Sequence, residues 1–149
     1  MSTIVGTNIE VTNLKYDSDT TSMIISSAGQ VTIQGEGTNT TNLQQGLIKV
    51  WINFDGTGTP AARDSFNVGS ITDNGTGSYD IVFTNAMSNT NYSSQCSLNN
   101  GTTDVSGAHD YGWAIVDRTT ADFRWDTENA SNSQTDLALL DALVVGDLA

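Results

Sequence analysis

Leu47-Ile-Lys-Val-Trp-Ile-Asn-Phe54 is the stretch whose reading decides the fold. Ile48, Val50, Ile52 and Phe54 fall on one side of a period-two alternation, and Lys49, Trp51 and Asn53 on the other, as in a strand with one buried face. Asp55-Gly-Thr-Gly-Thr-Pro60 then turns the chain. Ser65–Val68 and Ser70–Thr72 lead into Asp73-Asn-Gly-Thr-Gly77, where Asn-Gly predicts a hairpin because both residues accept positive φ cheaply. Tyr79–Thr84 returns, with Tyr79, Ile81 and Phe83 on one face. Tyr92–Leu98, Tyr111–Val116, Ala121–Asp126 and Ala142–Gly146 complete about seven strands, the count of an antiparallel β-sandwich. Ser133-x-x-Asp136 ahead of Leu137 fits the start of a short helix, so Gln134–Leu140 stays open between helix and loop.

Upstream the pattern thins. Residues 1–41 offer short strands at Asn8–Val11, Ser22–Ile25 and Gln30–Ile33, joined by Asp17-Ser-Asp-Thr-Thr21 and Ser26-Ser-Ala-Gly29. Each carries only two or three apolar side chains, and isolated hairpins of that kind are marginal in water. Ile9, Val11, Ile25, Val31 and Ile33 are therefore expected to be buried against other copies of the chain. Gly35-Glu-Gly-Thr-Asn-Thr-Thr-Asn42 has the composition of a flexible hinge. The expected architecture is all-β: a short N-terminal hairpin or interlacing region, residues 1–41, followed by a sandwich knob, residues 42–149.

Composition excludes several functions. The 149 residues carry 17 acidic and 5 basic side chains, a net charge of −12, which opposes phosphate backbones and anionic bilayers. Neither nucleic acid nor membrane insertion is expected. The longest apolar stretch, Leu137 to Val145, is interrupted by Asp141 and falls well below the ~20 residues of a spanning helix. Met1-Ser-Thr-Ile-Val-Gly6 lacks the basic and apolar regions of a secretory signal, so synthesis in a cytosol is expected. Five Asn-x-Ser/Thr sequons, at Asn39, Asn74, Asn91, Asn100 and Asn129, are then chance products of an Asn- and Thr-rich chain.

Reactive constellations are scarce. Cys96 cannot form an internal disulfide or a zinc site alone, and its alternation with Leu98 makes it a core residue. His109 is the one histidine, and no Gly-x-Ser-x-Gly elbow occurs. Asn53-Phe-Asp-Gly56 resembles the middle of a calcium loop, but Trp51 and Ala62 stand at its first and last ligand positions. A divalent ion between acidic loops of neighbouring subunits is conceivable, though no spacing demands it. The glycines follow no nucleotide-binding pattern and read as turn residues. No catalytic centre, metal or cofactor is expected. Paired carboxylates with Trp113 or Trp125 as sugar platforms leave glycan hydrolysis as a distant third reading.

Ile48-Lys-Val-Trp-Ile-Asn-Phe-Asp-Gly-Thr-Gly58, Arg63-Asp-Ser-Phe-Asn-Val68, Ser70-Ile-Thr-Asp-Asn-Gly-Thr-Gly-Ser-Tyr79, Phe83-Thr-Asn-Ala-Met87 and Asn91-Tyr92 together resemble a domain recurrent in bacteriophage and prophage tail-fibre proteins. Ala142-Leu-Val-Val-Gly-Asp147 is a looser version of that domain's closing strand, and Leu14-Lys-Tyr16 with Ile24–Ile33 is similar to the hairpin segment that often precedes it. The resemblance implies a structural virion appendage, a homotrimer with β-sandwich tips, made in the cytoplasm of a host bacterium. Its motifs are structural and transfer no catalytic residue. Tail fibres usually carry a long N-terminal adaptor, whereas about forty residues precede the knob here, so tail and capsid attachment both stay open.

Under this resemblance, residues 1–41 trimerise and bind other virion proteins, while the knob meets a host-surface glycan or protein. A trimer triples the negative charge, which keeps particles apart and repels anionic cell surfaces over the ~8–10 Å screening length of physiological salt. Receptor contact is then expected through neutral polar and aromatic groups on the loop around Asn99, Asn100, His109, Asp110 and Tyr111. The competing reading is a capsid decoration or head-fibre protein with no specific receptor.

Overall fold

The structure, a computed structural model, describes residues 13–15, 21–34, 39–99 and 112–149. It is all-β, with 62% of the described residues in strands, all of them in antiparallel sheets, and 4% helical. The chain divides into two units, residues 1–46 and 47–149.

In the first unit β1 (Asn13–Lys15), β2 (Thr21–Ile25), β3 (Val31–Gln34) and β4 (Thr40–Asn42) form one sheet in sequence order. Gly29, at φ 76°, closes the turn between β2 and β3, its N–H donating to Ser26 O at 2.9 Å. The end of the expected hinge is instead a strand: Thr40, Thr41 and Asn42 pair with Gln34, Ile33 and Thr32. β-Branched Thr40 and Thr41 favour an extended edge. A single helical turn, α1 (Leu43–Gly46), follows, capped by Asn42 Oδ1, which accepts from Gln44 N–H at 2.9 Å. The units accordingly divide after Gly46. The strand expected at Asn8–Val11 lies outside the described residues.

The described residues of the second unit form a β-sandwich of eight strands where about seven were expected: β5 (Ile48–Asp55), β6 (Ala61–Phe66), β7 (Val68–Gly75), β8 (Ser78–Phe83), β9 (Ser93–Asn99), β10 (Gly112–Arg118), β11 (Asp122–Glu128) and β12 (Leu139–Val145). One sheet runs β6-β5-β12-β9 and the other β10-β11-β8-β7. The facing sides interlock: Phe54 of the first sheet meets Tyr79 and Trp125 of the second edge-on, at ring separations of 5.3 and 5.6 Å. Val50, Ile52, Leu140 and Val144 complete the core from the first sheet, and Ile81 and Phe123 from the second.

The chain crosses from β6 to β7 through Asn67 alone, at φ 58°. Its amide donates to Lys49 O and Asn85 O, both at 3.1 Å, and its Oδ1 accepts from Asn85 N–H at 2.7 Å. Asn tolerates the left-handed region, and these bonds hold the corner. The β7–β8 turn departs from the Asn74-Gly75 expectation: its two loop residues are Thr76 and Gly77, the latter at φ 68°. Gln134–Leu140 contains no helix. Gln134 bridges to Glu128, Leu137 is buried, and β12 begins at Leu139.

One alternation fails in an informative place. Ile48 was expected beside Val50 in the core, but the register slips between Val144 and Val145, so that Val144 pairs with Val50 and Val145 with Ile48. The bulge at Lys49 resets the phase and puts Ile48 on the outer face, 47% exposed.

Candidate functional site

Ile25, Val31 and Ile33, expected at a subunit interface, are brought together. Ile25 pairs with Val31, and Ile33 with Met23, so the four side chains share one face of the N-terminal sheet as two cross-strand pairs. All four are half-buried, and none of residues 22–34 and 39–46 is buried. Met23 was not singled out in the sequence, although it sits two residues from Ile25, the spacing that places both on one face. Ile9 and Val11 lie outside the described residues. In the receptor-contact set, Asn99 ends β9, exposed and paired with Leu139. Asn100, His109, Asp110 and Tyr111 lie outside the described residues.

The sandwich carries a second candidate on the outer face of sheet β6-β5-β12-β9. Alternation turns Trp51 of β5 and Leu143 of β12 outward, and the register sets Phe66, Trp51, Leu143 and Gln95 side by side across all four strands. Phe66 is 52% exposed and Leu143 36%. Ile48 joins this apolar row through the bulge. Two residues further along, Asp64, Asn53, Asp141 and Ser97 form a polar row in the same register. Asn53 Nδ2 donates to Asp141 Oδ1. Ser97 Oγ approaches the other carboxylate oxygen only to 3.5 Å, leaving its lone pairs largely unused.

These rows border an open groove of about 340 Å³, lined by Ile48, Trp51, Asn53, Gln95, Asp141 and Leu143. Among the described residues no lysine or arginine lines it. Cys96 closes its floor but is 3% exposed, and burial pushes its thiol up to about 12, so it stays protonated at neutral pH.

No protein-family model, curated protein or solved structure matches this chain. The site therefore rests on its own geometry. Its signal was present in the sequence: Trp51 and Asn53, expected outward, already set an aromatic beside an amide, whereas Lys49, expected outward with them, is turned inward by the bulge and is 7% exposed. What alternation in one strand cannot supply is the neighbour, because β5 and β12 lie 88 residues apart at the Asn53–Asp141 pair.

The opposite sheet's outer face is different in kind. Arg124 of β11 forks onto Asp80 of β8, Nε to Oδ1 at 2.7 Å and Nη2 to Oδ2 at 3.1 Å. That donation holds the Asp80 carboxyl below its ordinary value. Ser78 Oγ donates to Asp126 at 2.6 Å beside it. Asp80 and Arg124 thus pair with each other along the strands of this face.

Proposed function

We propose that this chain is a short trimeric virion fibre protein of a bacteriophage, in which the N-terminal unit trimerises and attaches to tail or capsid and the sandwich contacts the host surface without catalysis. The observation that carries the reading is the apolar face of the N-terminal sheet, which is only half-buried. Met23, Ile25, Val31 and Ile33 form a continuous apolar face, and each is only half-buried in the single chain. A sheet with one apolar face is stable only when something covers it. Three copies covering one another would supply that layer.

The residues behind the tail-fibre resemblance support the same reading, because their roles are architectural. Arg63 donates to Asp55 at 2.9 Å and to Ala138 O at 2.6 Å, clamping the β5–β6 turn to the approach of β12. Asn67 forms the corner, and Gly77 the hairpin. Such a motif specifies a rigid knob, on which recognition surfaces can vary.

Sedimentation equilibrium of the full chain at micromolar concentration tests the assembly. A trimer is expected, and a monomer overturns the proposal. Antibody labelling of particles under the electron microscope separates tail from capsid. Label confined to the capsid, with soluble protein failing to block adsorption, removes the host-contact half in favour of a decoration protein.

A further inference from the structure

We propose that the outer face of sheet β6-β5-β12-β9 is a binding site for an uncharged sugar ring, with Trp51 as its stacking platform and the Asn53–Asp141 pair as its hydroxyl clamp. The inference deepens the host-contact reading above and rests on it for its biological setting, though not for its chemistry.

Three observations converge on this ligand class. A pyranose presents an apolar C–H face and a rim of hydroxyls, each able to donate and to accept. The groove presents the complement: an indole flanked by Leu143 and Ile48, then a carboxylate and an amide. Asn53 and Asp141 stand two residues along their strands from Trp51 and Leu143, roughly 6.8 Å at strand rise. A ring stacked on Trp51 thus brings its rim hydroxyls to the polar row. Asp141 Oδ2, held only by the 3.5 Å approach of Ser97, can accept a ring hydroxyl, and a charged acceptor makes the stronger hydrogen bond. A mostly apolar groove with a few convergent polar groups is the usual form of a small-molecule site.

Charge then selects among occupants. Asp64 and Asp141 share this face and no cation among the described residues lines the groove, so sulfated, phosphorylated or carboxylated sugars are repelled. A second copy of the chain would bring the same acids, on a body of net charge −12, against them. An uncharged ring meets no such penalty.

The test is a titration of the full chain carrying 5-fluorotryptophan. Its three indoles give three ¹⁹F resonances, assigned by single Trp→Phe variants. The probes are oligomers of glucose, galactose, mannose and N-acetylglucosamine, with hyaluronate and heparin as anionic counterparts. At least one neutral oligomer should shift the Trp51 resonance saturably, while the anionic ones leave it in place. W51A should weaken binding at least fiftyfold and D141A about tenfold. D141A changes an exposed side chain and should keep the wild-type melting temperature, so it reports even where W51A unfolds. No shift with any neutral oligomer, equal shifts with heparin, or undiminished binding by D141A overturns the proposal. So does a Trp51 resonance that moves with protein concentration alone, which would make this face a contact between copies. Blocking of phage adsorption separates the two readings. Wild-type and D141A protein that block equally leave the fibre reading standing and remove the sugar site. Sugar binding without any block does the reverse.

Discussion

The Tyr79 hydroxyl donates to Asp136 Oδ1 across 2.8 Å, and the N–H of Gly77 reaches the same oxygen at 2.7 Å. The phenol oxygen also lies 3.0 Å from Gly56 O. One carboxylate thereby ties the β7–β8 hairpin, the Asp55–Pro60 turn and the approach to β12 into a single knot at one end of the sandwich. Burial first, then the neighbouring Asp136, raises the Tyr79 phenol above its ordinary 10.0. Burial likewise pushes Tyr92 up to about 12. The folded chain holds these protons more tightly than the unfolded chain. Their contribution to stability is therefore complete below about pH 10 and shrinks as pH rises above it. Urea midpoints should fall between about pH 9 and 12, together with the contribution of Cys96. Y79F should flatten that fall while lowering neutral stability by about 1–3 kcal/mol, since Asp136 loses a donor. An alkaline slope unchanged in Y79F would contradict the assignment.

Two glycines of the same hairpin should respond unequally to alanine. Gly75, at φ 119°, has open space where a Cβ would sit, so G75A strains the backbone only, by about 1–3 kcal/mol. Gly77, at φ 68°, would drive a Cβ to 2.6 Å from Thr127 O and 2.6 Å from Thr135 N. Both are backbone atoms that cannot swing aside. Thr127 N–H already donates to Gly77 O at 2.7 Å, so the two segments have no slack. G77A should cost more than about 4 kcal/mol, the range reserved for a clash with fixed structure. Chemical denaturation of the two variants checks the order, and equal losses would refute it.

The contrast between these glycines marks where sequence reading works and where it stops. The turn glycines were legible, and so were the inward sets Val50, Ile52, Phe54 and Tyr79, Ile81, Phe83, because side-chain alternation is a property of one strand. The turn register was not. Asn74-Gly75 carries the stronger local signal, yet Gly77 takes the loop position, where tertiary hydrogen bonds to Asp136 and Thr127 hold it. Ile48 was misplaced for a similar reason: the bulge that reverses it is set by pairing with β12, about a hundred residues downstream. The outer-face site was half legible. Trp51 and Asn53 could be placed outward from their own strand, but Asp141 and Leu143 become their neighbours only through the sheet order.

The Asp80–Arg124 fork predicts an acid-side effect of opposite sign. Arg124 hydrogen bonding lowers the Asp80 carboxyl from its ordinary 3.8. A depressed carboxylate contributes stability that is present above about pH 4 and lost as pH falls through its folded value. D80N should therefore be less stable than wild type at pH 7 and equal to it near pH 2. The two side chains are 21% and 42% exposed, so screening holds the neutral-pH difference to about 1 kcal/mol or less, smaller still in high salt. Thermal melts at both pH values decide it.

Cys96 provides a probe of the sandwich itself. It pairs with Ala142 midway along the edge strand β9, buried, with its thiol pushed up to about 12. A protonated, enclosed thiol reacts with disulfide reagents only when the sheet opens. Labelling at neutral pH should consequently be slower than for an unfolded thiol by the factor that separates open from closed sandwich, and should accelerate with urea in step with loss of tertiary structure. C96S places a hydroxyl among the buried apolar side chains of the core and should cost about 1–3 kcal/mol, whereas C96A costs a small cavity only. Fast labelling of the native chain would mean that β9 separates from β12 without global unfolding. The groove floor beneath Trp51 would then be a dynamic edge, and a ligand on the outer face would slow Cys96 labelling in proportion to its occupancy.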